Sequence, residues 1–253
     1  MISFAQQPAP KLAKYTETLP KSVVKIQMLP IPGGSIKIGK STVKVKPFYM
    51  ASTETVWEAF DVFIASGEPT KNYDQTKYAP DAIARPSRSY ILPDLGWGHN
   101  GNPAINLSSD NVEMFCRWLS KETKKKYRVP TEAEWELACR AGDTTVMKMT
   151  AAQLEANSWY EKNSKEKTHP VGKKLPNKFG LFDMLGNVGE WCTDLAGKPV
   201  VCGPSFADPA AKVSPTTRSR WNADWQDSDP QMPKSRWWLS DAPFAGFRVV
   251  CEP

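Results

Sequence analysis

The chain has 253 residues, with 22 prolines, ten tryptophans and a net charge of +6. This length suffices for one domain with a substantial core. The many prolines, glycines and tryptophans predict a turn-rich α+β fold and not a helical bundle. No run approaches the ~20 apolar residues of a membrane span. The lysines lie in short solvated runs without an interleaved stripe of aromatics, so nucleic acid is not an expected partner.

Residues 1–24 are predicted to form an extended N-terminal arm, because they alternate proline, lysine and small polar residues without apolar periodicity. The domain then occupies 25–253. Alternating apolar residues predict strands over 23–30, 35–39 and 43–46, with the first two joined by a proline-glycine turn. An antiparallel sheet is therefore expected at the start of the domain.

Apolar residues spaced three and four apart predict the helices that follow. The first begins at Thr53 or Glu54, and the second begins near Asp110, with Glu113 as its capping partner. Each presents one apolar face to the core.

A third helix begins at Thr131, where Glu134 completes a capping-box pattern, and it stops at Gly142. A short helix is predicted over 151–156. The remaining residues read as turns, short strands and tryptophans.

Two carboxylates and an amide surround glycines in the segment 180–191, GLFDMLGNVGEW. Asp183 and Glu190 can supply charged oxygens, and the carbonyls of Gly186 and Val188 can face the same point in a tight loop. Such oxygens suit calcium, so this segment is a candidate metal site. The alternative is that both carboxylates cap turns and pair with arginines.

Together with the blocks RVPTEAEWE at 128–136 and GFRVV at 246–250, this segment resembles the formylglycine-generating enzyme family, also called sulfatase-modifying factors. The resemblance implies the family's fold, an α+β variant of the C-type lectin architecture with little regular secondary structure. It also implies calcium ligands at Asp183, Gly186, Val188 and Glu190. A second family calcium site would use Asn157, although a lysine stands near its expected downstream partner.

Active members of this family oxidise a substrate cysteine through two cysteines that bind copper(I). The matching positions here fall near Asp208 and Val213, which cannot replace soft thiolate ligands. Another branch holds iron with three histidines, whereas this chain has only His99 and His169. Neither copper nor iron is therefore expected. The resemblance favours a non-catalytic binding or accessory module; the alternative is a metal-dependent oxidoreductase with a site rebuilt around Asp208 and Cys202.

Aromatic and basic residues crowd the C-terminal part of the chain and predict a ligand surface for a protein, peptide or glycan. Its predicted members are Phe206, Asp208, Arg218, Arg220, Trp221, Trp225, Trp237 and Trp238. For at least half of the aromatic residues, core packing is the alternative. Gly189 stands where most relatives carry an aromatic, and its small size is expected to open a pocket beside Trp191 or to admit a C-terminal tryptophan.

The five cysteines show no Cys-x-x-Cys spacing, so a zinc or redox motif is not indicated. Resemblance to a mostly secretory family implies a secreted or periplasmic protein. Cys202 and Cys251 lie on segments expected to be neighbouring strands, where a bridge can form. Cys116 matches a helix cysteine that bridges to the C-terminal strand in some relatives, and spacing does not decide between the two pairings.

Overall fold

The computed structural model describes residues 12–67, 92–145 and 149–253. Its helices are α1 (Trp57–Ala65), α2 (Ser109–Thr123), α3 (Glu132–Cys139), α4 (Ala151–Asn157) and α5 (Glu161–Ser164). Its strands are β1 (Tyr15–Thr18), β2 (Lys25–Ile31), β3 (Gly34–Ile38), β4 (Ser41–Val45), β5 (Phe48–Ala51), β6 (Tyr127–Arg128), β7 (Gly189–Thr193), β8 (Pro199–Cys202), β9 (Arg218–Ser219), β10 (Ala245–Gly246) and β11 (Val250–Cys251). These short elements confirm the predicted α+β class. Across the described ranges, none of the helices combines the length and apolar character that crossing a membrane would require.

The strands form a five-stranded sheet of order β1-β2-β5-β11-β6, a four-stranded sheet of order β10-β7-β8-β9 and the hairpin β3-β4. β11 lies between β5 and β6 in the larger sheet, with Val250 opposite Met50 on one side and Arg128 on the other. In the smaller sheet, β10 runs parallel to β7 and β8 runs antiparallel to it.

Part of the predicted N-terminal arm belongs to the larger sheet. β1 pairs antiparallel with β2, from Tyr15 opposite Met28 to Thr18 opposite Lys25. Its residues alternate between half-buried and exposed, so the strand buries too little surface to need an apolar pattern. The Tyr15 hydroxyl also lies 2.9 Å from the Tyr127 hydroxyl, which ties β1 to β6 at the opposite edge of the sheet.

Two predicted helix starts differ from the structure, and one is confirmed. α1 begins at Trp57, after the extended residue Val56, and not at Thr53 or Glu54. The N-cap of α2 is Ser108, whose Oγ accepts the Asn111 amide at 3.3 Å, so Asp110 and Glu113 do not form the cap.

The start of α3 follows the prediction. Thr131 Oγ1 accepts the Glu134 amide at 3.2 Å, and the Glu134 carboxylate accepts the Thr131 amide at 2.8 Å. The capping box at this position is therefore confirmed. The short helix predicted over 151–156 is also present, as α4.

Aromatic rings of α1 and α2 form the centre of the larger core cluster. Phe60 and Phe115 pack with ring centroids 6.1 Å apart, and Phe247 lies 5.2 Å from Phe115. All three are completely buried, and full burial of such a side chain stabilises the fold by roughly 1.5–3 kcal/mol. A second cluster packs α3 against the β3-β4 hairpin and β8. The segment 180–191 contributes residues to both clusters.

Candidate functional site

The loop 183–187 is fixed by close contacts that its sequence allows. A Cβ on Gly186 would lie 2.2 Å from the Trp159 carbonyl oxygen, so only glycine fits there. Asp183 and Asn187 adopt left-handed backbone conformations, with φ of 59° and 62°, which aspartate and asparagine tolerate better than most residues. The Asn187 amide group spans the His169 backbone, accepting its N–H at 2.9 Å and donating to its carbonyl at 3.1 Å. These contacts fix the backbone of the loop and thereby the position of the Asp183 carboxylate.

Glu190, the first residue after Gly189 in β7, is completely buried and bound on both oxygens. Arg248 Nη2 donates to its Oε1 at 2.7 Å, while Arg248 Nε and Trp135 Nε1 both donate to its Oε2 at 2.8 Å. Two parallel bonds of this kind form the strong, orientation-specific arginine–carboxylate pair. The carboxylate of Glu190 is thus held by the protein's own cation.

Arg248 uses its remaining donors on main-chain carbonyls. Its Nη1 donates to Ala51 and Ser52 at 3.1 and 3.3 Å, and its Nη2 donates to Phe182 at 2.9 Å. With the bonds to Glu190, all five guanidinium N–H groups have acceptors. The guanidinium therefore joins the end of β5 and the segment 180–191 at one buried point.

Two further carboxylates lie close to this ion pair. Both oxygens of Glu54 and Oδ1 of Asp183 are buried without a hydrogen-bond donor, while Asp183 Oδ2 accepts the Gly172 amide at 2.6 Å. Burial raises the pKa of Glu54 well above its ordinary value, and the neighbouring Asp183 carboxylate raises it further. Burial also raises the pKa of Asp183. If Glu54, Asp183 and Glu190 were all ionised, Arg248 would offset one of three buried charges.

Buried charge of this kind needs a counterion or a proton. The open oxygens of Glu54 and Asp183 are hard ligands of the type that calcium takes in sets of six to eight. Glu190, in contrast, is already committed to Arg248 and Trp135. Within the described ranges, no three His, Cys, Asp or Glu side chains are arranged to hold a metal ion. Of the carboxylates at this point, Glu54 and Asp183 are the ones that keep oxygens without a hydrogen-bond donor, whereas both oxygens of Glu190 are bound.

Sequence reasoning missed Glu54 and treated it as the start of a helix. The signal was the polar run 52–55 between a buried strand and an amphipathic helix, where a carboxylate had no solvated face to occupy. Asn157, predicted for a second calcium site, donates its side-chain amide to the Gln153 carbonyl at 2.7 Å. The carbonyl of the next residue, Ser158, accepts from Asn163 Nδ2 at 3.0 Å. The Asn157 side-chain N–H group and the Ser158 carbonyl therefore each have a partner within the protein.

The neighbouring strand β8 leaves no room for a side chain at position 189, which is a glycine. A Cβ at this position would lie 2.6 Å from Val201 Cγ1 and 3.1 Å from the Gly203 carbonyl oxygen. β8 therefore fills the space that the missing aromatic leaves, and no C-terminal tryptophan enters it.

A cleft of about 500 Å³ lies between the start of α2, β8 and the C-terminal loops. Arg220 and Trp221, two of the predicted ligand residues, line it. Trp221 is 55% exposed, and Trp191 lies at the base of the cleft with its Nε1 donating to the Leu107 carbonyl at 2.8 Å. The full lining is Ser108, Ser109, Asp110, Trp191, Lys198, Pro199, Arg220, Trp221, Gln226, Ser235, Arg236 and Leu239.

The other predicted ligand residues do not line this cleft. Arg218 donates to Glu136 at 2.6 Å and to Glu132 at 3.2 Å, with its guanidinium 5.8 Å from the centre of the Trp135 ring. Asp208 Oδ2 accepts the Ser205 amide at 2.8 Å and the Ser205 hydroxyl at 3.0 Å. Both side chains hold local structure together.

The remaining predicted aromatics pack inside the protein. Phe206 is 5% exposed and meets the edge of Trp97 at 5.4 Å. Trp225 and Trp237 are 7% and 1% exposed. Trp238 is half-buried and packs edge-on against Phe60. For these four residues, the structure supports core packing.

All five cysteines are buried free thiols. Cys202 lies in the four-stranded sheet and Cys251 in the five-stranded sheet, so the expectation that they occupy neighbouring strands is wrong. The chain crosses from one sheet to the other between β10 and β11, which sequence order alone does not reveal. Burial, followed by contact with Cys202, raises the pKa of Cys192 well above its ordinary value. This shift favours the thiol form of Cys192, whereas metal binding requires a thiolate.

The chain matches known proteins along nearly its whole length. A family described as "Sulfatase-modifying factor enzyme 1-like domain" matches residues 14–253. The chain is 25% identical over 228 residues to the formylglycine-generating enzyme of Mus musculus, covering 69% of this chain and 60% of that protein. It is 34% identical over 106 residues to the formylglycine-generating enzyme of Mycobacterium tuberculosis, covering 37% and 33% of the two chains. The chain thus spans between a third and three-fifths of these relatives' own length.

Among solved structures, Treponema denticola variable protein 1 superposes with a TM-score of 0.69 and 22% identity, covering 96% of this chain and 100% of that chain. At this identity the likeness concerns the fold alone. It confirms the expected fold, with its mixture of helices, short strands and long irregular segments. The match across residues 14–253 places the chain in the formylglycine-generating enzyme, or sulfatase-modifying factor, family.

Proposed function

We propose that this chain is a non-catalytic member of its family, a calcium-stabilised binding or accessory module that holds an anionic partner in the cleft beside Trp221. The proposal is carried by the family resemblance, which puts the positions of the copper-binding cysteines of active relatives near Asp208 and Val213, neither of which is a cysteine. The Asp208 carboxylate caps a turn through Ser205, which is a structural use of the position. Fold alone does not fix activity, so the proposal rests on these side chains.

The cleft supports a binding role. It combines an exposed indole, an apolar base and basic side chains at its rim, a mixture typical of ligand sites. An anionic protein, peptide or glycan has the charge to match it, and the chain's net charge of +6 favours the approach of such a partner.

The buried carboxylates support calcium as a structural ion. Glu54 and Asp183 would hold it through oxygens that have no hydrogen-bond donor, with carbonyls of the loop 183–188 as further ligands. The ion would supply positive charge that Arg248 alone does not provide. A structural calcium suits a secreted or periplasmic protein, which is the location we propose.

Elemental analysis beside a native mass spectrum tests the proposal by counting metals per chain. Calcium near one per chain, with copper and iron absent, is the expected result. A stoichiometric redox metal would overturn the non-catalytic proposal and favour a rebuilt oxidoreductase site. A peptide containing Cys-x-Pro-x-Arg, incubated with copper and oxygen, is expected to show no change in mass, and conversion of its cysteine would contradict the proposal independently.

A further inference from the structure

The cleft beside Trp221 has an apolar base under a polar rim. Trp191 and Leu239, which lie at its base, are each only 2% exposed. At the rim, more than half of the surface of Trp221 is exposed to solvent. A large flat apolar surface that folding leaves uncovered is a frequent mark of a contact site. This inference rests on the binding role proposed above and identifies the chemistry of the ligand.

Three positive side chains line the cleft. Lys198, Arg220 and Arg236 line it, against one carboxylate, Asp110. Arg236 Nε donates to Asp110 Oδ2, and Arg220 Nη1 donates to Asp194 Oδ2 at 2.8 Å. Arg236 and Asp110 are 49% and 37% exposed, and an ion pair between exposed side chains contributes only about 0–1 kcal/mol. The Arg220 side chain is 62% exposed, although its partner Asp194 is only 7% exposed. An incoming anion can therefore compete with Asp110 for Arg236 and can reach the exposed guanidinium group of Arg220.

Arg220 has donors to spare. Its Nε and Nη2 have no hydrogen-bond partner within the part of the chain that the structure describes, since only Nη1 is engaged. A guanidinium presents its N–H groups in a planar fork that matches carboxylate and sulfate oxygens. The geometry thus provides an anion-binding group beside the exposed indole of Trp221.

Asp110 and the hydroxyl side chains distinguish among anionic ligands. Asp110, Ser109 and Ser235 line the same cleft, and a carboxylate at this position favours a ligand that also brings hydroxyl donors. Sulfate and chloride bring none. An extended peptide would need main-chain partners, and the adjacent sheet edge, β9, has only two residues, Arg218 and Ser219.

We propose that this cleft binds an acidic saccharide, with a sugar ring lying on Trp221 and its carboxylate or sulfate group on Arg220 and Arg236. The hydroxyl groups of the sugar donate to Asp110. Each kind of group in the cleft then has a matching group on one ligand: the ring face for the indole, the acid for the guanidinium groups and the hydroxyls for the carboxylate.

Isothermal titration calorimetry of the full chain in 150 mM salt tests this inference, with a heparin-derived disaccharide as the probe. Three comparison ligands each lack one feature of the probe. Cellobiose is a sugar without charge, tetraglutamate is an acid without a sugar, and uridine monophosphate is an anion that is not an acidic saccharide. The heparin disaccharide is expected to bind at least tenfold more tightly than each of them. Trp221→Ala and Arg220→Gln are each expected to weaken its binding about tenfold.

Arg117→Gln is the matched control, because Arg117 lies on α2 outside the cleft lining and its side chain is 72% exposed. This variant loses the same charge and is expected to bind the disaccharide within twofold of the parent chain. An equal loss in Arg117→Gln would mean that general charge attraction explains the binding and would overturn the inference.

Tighter binding of tetraglutamate or of the nucleotide would also overturn the saccharide assignment, although the cleft would remain a ligand site. If none of the four probes bound, the saccharide inference would fail. The metal count and the peptide assay judge the non-catalytic proposal separately, because neither depends on the cleft. Failure of the two proposals can therefore be distinguished.

Discussion

Arg248 binds Glu190 through two parallel hydrogen bonds of 2.8 and 2.7 Å in a part of the core where both side chains are completely buried. The pair connects the segment 180–191 to the block 246–250, two of the three blocks by which the chain resembles its family. Two distant motifs therefore meet at one contact, which explains their joint presence in physical terms.

Arg248→Met is expected to destabilise the protein by about 3–5 kcal/mol, because it leaves Glu190 as an unpaired charge in the core. Urea unfolding followed by tryptophan fluorescence measures the change. Arg117→Gln, which breaks an exposed pair with Glu113, is the control and should stay within about 1 kcal/mol of the parent chain. A loss below 1 kcal/mol in Arg248→Met would contradict the importance of the buried pair.

Glu54→Gln is expected to remove the response of the protein to calcium. In the parent chain, calcium at a hundredfold excess over its Kd should stabilise the fold by about 2.7 kcal/mol. The amide keeps the shape of the side chain but lacks its charge, so this increment should vanish. Thermal unfolding with calcium or with a chelator makes the comparison. If the parent chain had the same melting temperature with calcium and with the chelator, calcium would have no structural role.

Gly189→Ala is expected to destabilise the protein by about 1–3 kcal/mol, because its Cβ would lie 2.6 Å from Val201 Cγ1. The double variant Gly189→Ala with Val201→Ala should recover part of that cost, since the second change removes the clashing methyl group. Chemical unfolding of both single variants and the double variant gives the coupling free energy. Strictly additive losses would show that the clash is relieved by movement elsewhere.

Glu134 supplies a pH-dependent contribution at the start of α3. Burial alone would raise its pKa, but the hydrogen bonds from Arg128 and Thr131 outweigh burial and lower the pKa below its ordinary value of 4.5. The stabilisation is therefore fully present above pH 4.5 and is lost as the pH falls through the depressed pKa of the folded state. Glu134→Gln should cost more stability at pH 7 than at pH 3. An equal cost at the two pH values would exclude the ionised carboxylate as the source.

Local sequence signals predicted the parts of the fold that depend on local chemistry. Thr131 and Glu134 form the expected capping box because both partners lie within one helical turn. Ser108 was overlooked as the cap of α2 since Asp110, a similar residue two positions later, offered an equally plausible pattern. Neighbouring polar residues compete for the same role, and only the backbone conformation decides between them.

Long-range pairing was beyond the reach of such signals. The Glu54 carboxylate follows β5 and lies in the fold near Asp183 and Arg248, which are far away in the sequence. Its role in the candidate site depends on this long-range contact. The tryptophans near the C-terminus likewise differ in burial although the residue type is the same, since Trp221 is exposed and Trp237 is buried. Composition predicted a ligand surface, but the packing of each indole depends on which sheet or helix faces it.

The position of β11 has a consequence for how the protein folds. Met50 pairs with Val250 in the larger sheet, so β5 stays without one of its neighbours until residue 250 has emerged from the ribosome. A pairing between residues so far apart in the sequence slows folding, since the entropy of closing the long loop is lost before the pairing compensates for it. During synthesis the open side of β5 can pair with other chains. Expression of this protein should therefore benefit from chaperones that cover unpaired strands.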